Sequence, residues 1–239
     1  MTAPVLSVLT PSYNDAAFLP DCIASVRVAA EQAGLEVEHA IVDDASTDGT
    51  PALLAAQSGL LVERFPVNRG ASAALNAAVR LTTAPWLLVL AADDVVLPGA
   101  FAAFGDAVRT SPAANLVCSD LELFGARDGI YALREYDAAL LRTRNILPGC
   151  SFVLRAVFDA VGGFDEQLRS AQDWDFWVRA DLVVGLTPVK LPRPAIRYRY
   201  HHTPRLHDES VRNFAQLRTH IRRLTRDRAV LSPRVETVA

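Results

Sequence analysis

Three pairs of acidic residues stand where carboxylates do chemistry. Asp93 and Asp94 interrupt the apolar run WLLVLAADDVVLPG at 86–99, Asp43 and Asp44 follow HAIV, and Asp173 and Asp175 lie among aromatics in AQDWDFWVR at 171–179. Adjacent like charges repel, raise one of the two pKa values and cost stability. Consecutive strand residues point to opposite faces, so Asp93 and Asp94 cannot both meet one ligand from a regular strand. The pair makes sense if the strand has ended and a cation or hydroxyl groups satisfy both. Carboxylate oxygens suit Mg²⁺ or Mn²⁺, ions that in turn hold diphosphates. The alternative is a loop with two solvated Asp residues, one of them capping a helix near Pro98. In the third pair, one carboxylate beside a hydroxyl is a general base. Alternatively Asp173 caps its helix and Asp175 pairs with Arg179 at i+4.

Such groups need a scaffold that gathers strand ends. VLSVLT (5–10), EVEHAIV (36–42), LLVERF (60–65) and WLLVLA (86–91) read as strands; Phe18–Ala33, 51–58 and the Gly-led, Ala-rich 68–81 read as helices. Pro98 is expected in the first turn of a further helix. Strands and helices alternating at this spacing predict a parallel sheet covered on both faces, in which ligands bind at the carboxyl ends of the strands. Three polar clusters, PSYND, DDAS and ADD, fall at three such ends. The second half is more mixed. ANLVCSDLELFG (114–125) reads as one strand, Asp128-Gly129 as a hairpin turn, and 145–180 as a loop and two helices with GGFDE between them. Residues 189–202 read as an extended edge segment broken by Pro192 and Pro194.

The chain has 239 residues, 51% of them hydrophobic, enough for one large domain or two lobes sharing a sheet. No window approaches the roughly 20 apolar residues that cross a bilayer, and the N-terminus lacks a signal-peptide pattern, so a cytoplasmic protein is expected. Cys22, Cys118 and Cys150 have neither disulfide nor zinc spacing and read as reduced fillers. Residues 1–120 hold 5 Arg against 13 acidic residues, which argues against a nucleic-acid groove, whereas 203–239 hold 8 basic against 4 acidic. Lys190 is the only lysine, an arginine bias that fits a GC-rich genome.

In order, SVLTPSYN (7–14), IVDDASTDGT (41–50), NRGASAALNAAV (68–79), LVLAADDVVLPG (88–99), VGGFDEQLRSAQDWDFWVR (161–179) and YRYH (198–201) resemble the family 2 glycosyltransferases of GT-A fold. The spore-coat polysaccharide sugar transferases are similar and also manage with the adjacent Asp pair. The resemblance implies an α/β fold: a mostly parallel, Rossmann-like central sheet flanked by helices, a smaller mixed acceptor-side region and a C-terminal amphipathic helix. It divides the chain into a nucleotide-sugar-binding half (1–112), an acceptor-binding and base-bearing half (113–202) and a basic helical tail (203–239).

The same resemblance implies site roles. Pro11 and Tyr13 would flank the nucleobase, Asp44 would accept a base N–H of the kind uracil and thymine offer, and Asp43 lies beside it. Arg69 would meet a phosphate, Asn76 matches a recurrent Asn, Asp93 would take the ribose or a metal-bound water, and Asp94 the metal. His201 would close over the diphosphate or metal, with Arg199 helping. Asp173 would be the base, with Gly149, Gly163 and Trp174 on the acceptor side. For Tyr13 the alternative is a half-buried turn residue, and for Asp43–Asp44 capping of the helix after Ser46. The chain departs from the family at Ala91, Leu75 and Gln172, where Asp, Arg and Glu are usual; Gln172 removes a like charge beside Asp173 and should lower its pKa.

The implied activity is metal-assisted, inverting transfer from a nucleoside-diphosphate-sugar, UDP- or dTDP-linked, to a hydroxyl on a glycan, lipid-linked or small-molecule acceptor. The competing reading is a non-catalytic nucleotide-sugar or glycan-binding protein on the same fold. Along 208–228, Val211, Phe214, Leu217, Ile221 and Leu224 recur at helical spacing, with Arg212, Arg218, Arg222, Arg223, Arg226 and Arg228 mostly off that stripe. That segment is either a helix docked on the domain or a peripheral contact with anionic lipid at the inner membrane face. A second copy of the chain is a further candidate partner.

Overall fold

The computed structural model describes residues 4–201 and 214–226. Strand β1 (Leu6–Ser12) lies at the heart of the main sheet, and Pro11 is its one residue that is not buried. It pairs in parallel with β2 (Val37–Asp43) on one side and β4 (Trp86–Val89) on the other, and β2 pairs with β3 (Leu61–Arg64), an edge strand. Beyond β4 come β9 (Phe152–Leu154), β6 (Leu116–Cys118) and β10 (Pro188–Lys190), giving the order β10-β6-β9-β4-β1-β2-β3. Only β9 runs antiparallel to its neighbours.

Helices cover both faces, as the near-continuous apolar strands require. On one face lie α3 (Ala71–Arg80), α6 (Arg155–Val161) and α7 (Gln172–Val183), with Phe158, Phe176, Trp174 and Trp177 in their shared core. On the other, α1 (Leu19–Ala33) and α4 (Ala100–Thr110) pack Phe101, Phe104 and Trp86 against Phe152. Short helices α2 (Thr50–Ala55) and α5 (Ala138–Leu141) fill connections. Pro20 opens α1, and Gly34 ends it in the left-handed region (φ 61°), donating to the carbonyls of Ala30 and Glu31.

A second sheet joins β5 (Val95–Val96), β11 (Ile196–Tyr200), β7 (Leu121–Gly125) and β8 (Gly129–Tyr131) in the order β5-β11-β7-β8. The Asp128-Gly129 hairpin expected from the sequence joins β7 to β8. Four expectations are corrected. Residues 114–125 form two strands, β6 and β7, in different sheets. Residues 189–202 likewise split: β10 is an edge strand, but β11 is interior to the second sheet, and Pro192 and Pro194, lacking N–H groups, release the chain between them. Residues 152–154, expected in a loop, form strand β9 because they fill the gap between β4 and β6. Pro98 precedes α4, whose N-cap is Gly99 at φ 76°.

The final described helix, α8 (Phe214–Arg226), docks on α7 through buried Leu217 and Ile221. Arg222 and Arg223 face solvent. Val211, Arg212, Arg228 and the remainder of the expected 203–239 tail lie outside the described residues. Among the described residues no helix is long and apolar enough to cross a membrane.

Phe152 is 1% exposed, stacks on Phe104 at 4.5 Å and meets Phe101 edge-on at 6.3 Å. Phe152→Ala should cost about 3–5 kcal/mol, read as a lower urea midpoint at unchanged slope.

Candidate active site

The loops after β1 and β2 are tied to each other before they can meet any ligand. Asn14, left-handed at φ 59°, accepts at Oδ1 from the N–H groups of Thr47 (2.8 Å) and Asp48 (3.3 Å), while its own N–H donates to Ser46 Oγ (2.9 Å). The N–H of Ala16 donates to Asp48 Oδ2, and that of Asp15 to Thr50 Oγ1. Tyr13 stands at the tip, 46% exposed, and Pro11 is half-buried in β1.

The first acidic pair is engaged inside the protein. Asp43 accepts from the Ser46 N–H at 2.9 Å and lies 3.1 Å from Arg64 Nε. Asp44 accepts from the N–H groups of Arg69 (2.7 Å) and Gly70 (2.8 Å), one to each oxygen, and so pins the segment that leads into α3. The guanidinium of Arg69 lies 4.7 Å over the Phe65 ring and pairs with Glu166 at 3.0 Å. Asn76 reaches the GGFDE turn: Nδ2 donates to Phe164 O (2.9 Å) and Glu166 (3.0 Å), and Oδ1 accepts from the Phe164 N–H (2.9 Å). That turn depends on Gly163, at φ 82°, because a Cβ there would fall 2.8 Å from Asn76 Oδ1.

The second pair sits in a turn, closed by a bond from the Asp94 N–H to Ala91 O (3.1 Å), so the strand ends before it. Asp94 is 2% exposed and accepts at Oδ1 from the Arg199 N–H at 2.8 Å. Burial, and then the charge of Asp93, push its carboxyl well above the usual carboxylate range. Asp93 Oδ2 lies 2.6 Å from His201 Nε2. The Arg199 side chain is sandwiched by Phe18 and Phe124 (4.8 and 4.2 Å) and donates from Nε to Asp93 O. Burial also raises the thiols of Cys22 and Cys150, with Asp94 adding to it, and Cys118 is pushed up to about 11. All three thiols are free and stay protonated at neutral pH.

Asp173 is the second residue of α7, which follows Ala171, left-handed at φ 55°. Its Oδ2 accepts from Asn145 Nδ2 at 2.8 Å and its Oδ1 from the Trp174 N–H at 2.8 Å. A Cβ on Gly149 would stand 3.4 Å from Asp173 Cβ, so glycine keeps that side open. Trp174 is buried, with Nε1 donating to Leu141 O, and Trp177 is buried beside it. Asp175 pairs with Arg179 at i+4 (2.8 Å to Nε), as expected, and also lies 2.8 Å from His220 Nε2.

Asp94, Asp173, Gly149 and Trp174 line a single cavity of about 610 Å³. Pro11, Tyr13, Asp43, Asp44, Arg69, Asn76, Asp93, Gly163 and His201 are not among its lining residues. Asn145, Tyr198, Tyr200, Leu121 and Leu123 line it as well and were not anticipated. The two-residue period of YRY would have placed both tyrosines on one face. Asn145, isolated in RTRNILPG, carries no such signal.

The profile described as glycosyl transferase family 2 matches residues 7–158. A PGL/p-HBAD biosynthesis glycosyltransferase of Mycobacterium tuberculosis is 30% identical over 207 residues, 84% of this chain and 75% of the relative. A glycosyltransferase of Haemophilus influenzae is 26% identical over 209 residues, 84% of this chain and 70% of its own. Staphylococcus aureus TarS 1–349, solved with UDP, superposes with a TM-score of 0.71 at 18% identity, over 82% of this chain; the chain spans 60% of that structure. The mannosyltransferase PcManGT of Pyrobaculum calidifontis, solved with GDP-Man and Mn²⁺, gives 0.69 at 22% identity, over 95% and 66%. A profile match across most of the chain, a relative at 30% identity and the shared architecture of two solved transferases agree: this chain belongs to glycosyl transferase family 2 and is a glycosyltransferase of GT-A fold.

Proposed function

We propose that the protein transfers a sugar from a nucleoside-diphosphate-sugar to an acceptor hydroxyl with inversion, Asp173 acting as general base. The observation that carries this reading is the shared cavity: a buried carboxylate at the end of β4 and a second at the start of α7 border one hollow. An acceptor hydroxyl beside Asp173 gives its proton to the carboxylate as its oxygen attacks the anomeric carbon. The bond to the diphosphate breaks on the opposite face, and its electron pair leaves with the diphosphate. Asn145 fixes Asp173 Oδ2, and Gly149 leaves room for the incoming hydroxyl. In this reading residues 1–112 carry the donor and 113–202 the acceptor.

The corner fits a divalent cation in part. Among the described residues no three His, Cys, Asp or Glu side chains converge on one point, so Asp94, with Asp93 beside it, would hold Mg²⁺ or Mn²⁺ only together with diphosphate oxygens, the way Mg²⁺ is commonly bound. A bound ion would neutralise charge on the leaving diphosphate. The loss of an acid at Ala91 accords with this lean ligand set. Nucleobase recognition is assigned to Tyr13 and Asp44; each Asp44 oxygen keeps a second lone pair beyond its backbone bond. A uracil or thymine donor is the favoured choice, and solved neighbours on this fold hold UDP or GDP-Man. A thermal-shift panel of UDP, dTDP and GDP with and without Mn²⁺ identifies the base, because stabilisation grows with concentration over Kd.

Asp173→Asn should lower kcat by roughly 10²–10⁴-fold and leave donor binding by calorimetry unchanged; full turnover would refute the base. Asn145→Ala should lower kcat by up to about 10²-fold through misplacement of that carboxylate, with donor Kd unaltered. Asp94→Asn keeps an oxygen for the Arg199 N–H but removes a carboxyl whose ionisation burial opposes. Because the folded pKa of Asp94 is raised, wild type loses stability as pH rises through that value, whereas below the unfolded Asp pKa of about 3.9 both forms are neutral there. The metal-free variant should therefore melt higher than wild type near pH 7, by roughly 2–4 °C per kcal/mol, and the gap should close in acid.

A further inference from the structure

We infer that the acceptor carries an apolar body, an aromatic ring or alkyl chain, which occupies the cavity beside Asp173 and leaves it along the β7–β8 hairpin. This rests on the reading of Asp173 as the base. Asp94, Asp173 and Asn145 line the cavity together with Gln172, Tyr198 and Tyr200. The rest of the lining is mostly apolar, with Leu121 and Leu123 from one face of β7 joined by Leu133, Ile146 and Leu147. A sugar acceptor has a hydroxyl on nearly every carbon, and each one buried needs a partner. Most of this lining cannot supply one, and the few polar groups named above are the partners within reach. An alkyl or aryl body needs no partners and gains from leaving water.

The mouth continues the same chemistry. Tyr131, on β8, lines the cavity and is 52% exposed, and its neighbour Ile130 is 58% exposed. Both are among the large apolar side chains that the described fold leaves in water. They therefore extend the aliphatic wall to the surface and form a path along which a long or ringed aglycone can lie. Arg127, in the turn between β7 and β8, also lines the cavity. With its hydroxyl at Asp173, the acceptor lays its apolar body against this leucine wall.

The test uses the full chain and two probes of similar size, 4-propylphenol and methyl β-D-glucopyranoside, titrated by calorimetry into wild type, Tyr131→Ala and Leu123→Asn. Donor hydrolysis is followed in parallel on wild type and Asp173→Asn. The phenol should bind at least about tenfold more tightly than the glucoside. Tyr131→Ala, at a residue 52% exposed, should weaken it several-fold, and folded Leu123→Asn should weaken it further. Equal or tighter binding of the glucoside, or phenol binding indifferent to Tyr131, overturns the inference. If Asp173→Asn hydrolyses donor and transfers like wild type, the base assignment is what fails; normal chemistry with no phenol binding removes only the apolar acceptor.

Discussion

The neighbouring carboxylates in the turn between β4 and β5, Asp94 buried and Asp93 half-buried, are held by the chain at and just after β11. The Arg199 N–H and the His201 ring reach Asp94 and Asp93 from more than 100 residues away. The Arg199 contact offsets part of the cost, yet burial and the charge of Asp93 still hold the Asp94 carboxyl well above the usual carboxylate range. The pairing of β11 with β7 sets which residue of YRYH meets which Asp, so the second sheet helps to shape this corner. The antiparallel contact of β5 with β11, immediately after the pair, closes the corner.

The opposite wall is held by a different device. Arg179 joins Asp175 within α7 and donates to the carbonyls of Val161 and Gly163, and His220 of α8 adds to Asp175 from the other side. This cluster locks α7 to the GGFDE turn, which Asn76 in turn locks to α3. The first turn of α7, with Asp173, therefore projects from a fixed body. Non-glycine residues with positive φ occur in the described chain at Asn14, Ala45 and Ala171, all in the loops of the site. Such conformations cost on the order of 1–3 kcal/mol and persist where surrounding bonds over-determine them, as the interlocked loops after β1 and β2 do.

Much of this was legible in the residues. Apolar runs alternating with helical spacings announced the parallel half, and three polar clusters marked three strand ends. The like charges at 93 and 94 signalled a turn, and the i+4 spacing of Asp175 and Arg179 signalled their ion pair. What was hidden had no local pattern. A three-residue strand such as FVL at 152–154 is too short to show a period, and the split of 189–202 depends on which sheet each half joins. The internal ties of Asp44 to the Arg69 and Gly70 amides, or of Asn76 to the turn at 163–166, cross 25 or more residues. A family motif cannot reveal that its acid or amide already has a backbone partner. Asn145 is hidden for the same reason: its importance comes from a neighbour 28 residues later.

The position of β9 also bears on how the protein is made. A ribosome delivers β1 to β4 first, and those strands can pair in parallel while β4 has a neighbour on one side only. Its other side, WLLV, waits for Phe152–Leu154, which arrive after a long intervening stretch. During that interval the nascent half presents an apolar, unpaired edge of the kind that recruits strands from other molecules. The pace of translation from residue 90 to 154 therefore sets how long each new molecule is open to self-association.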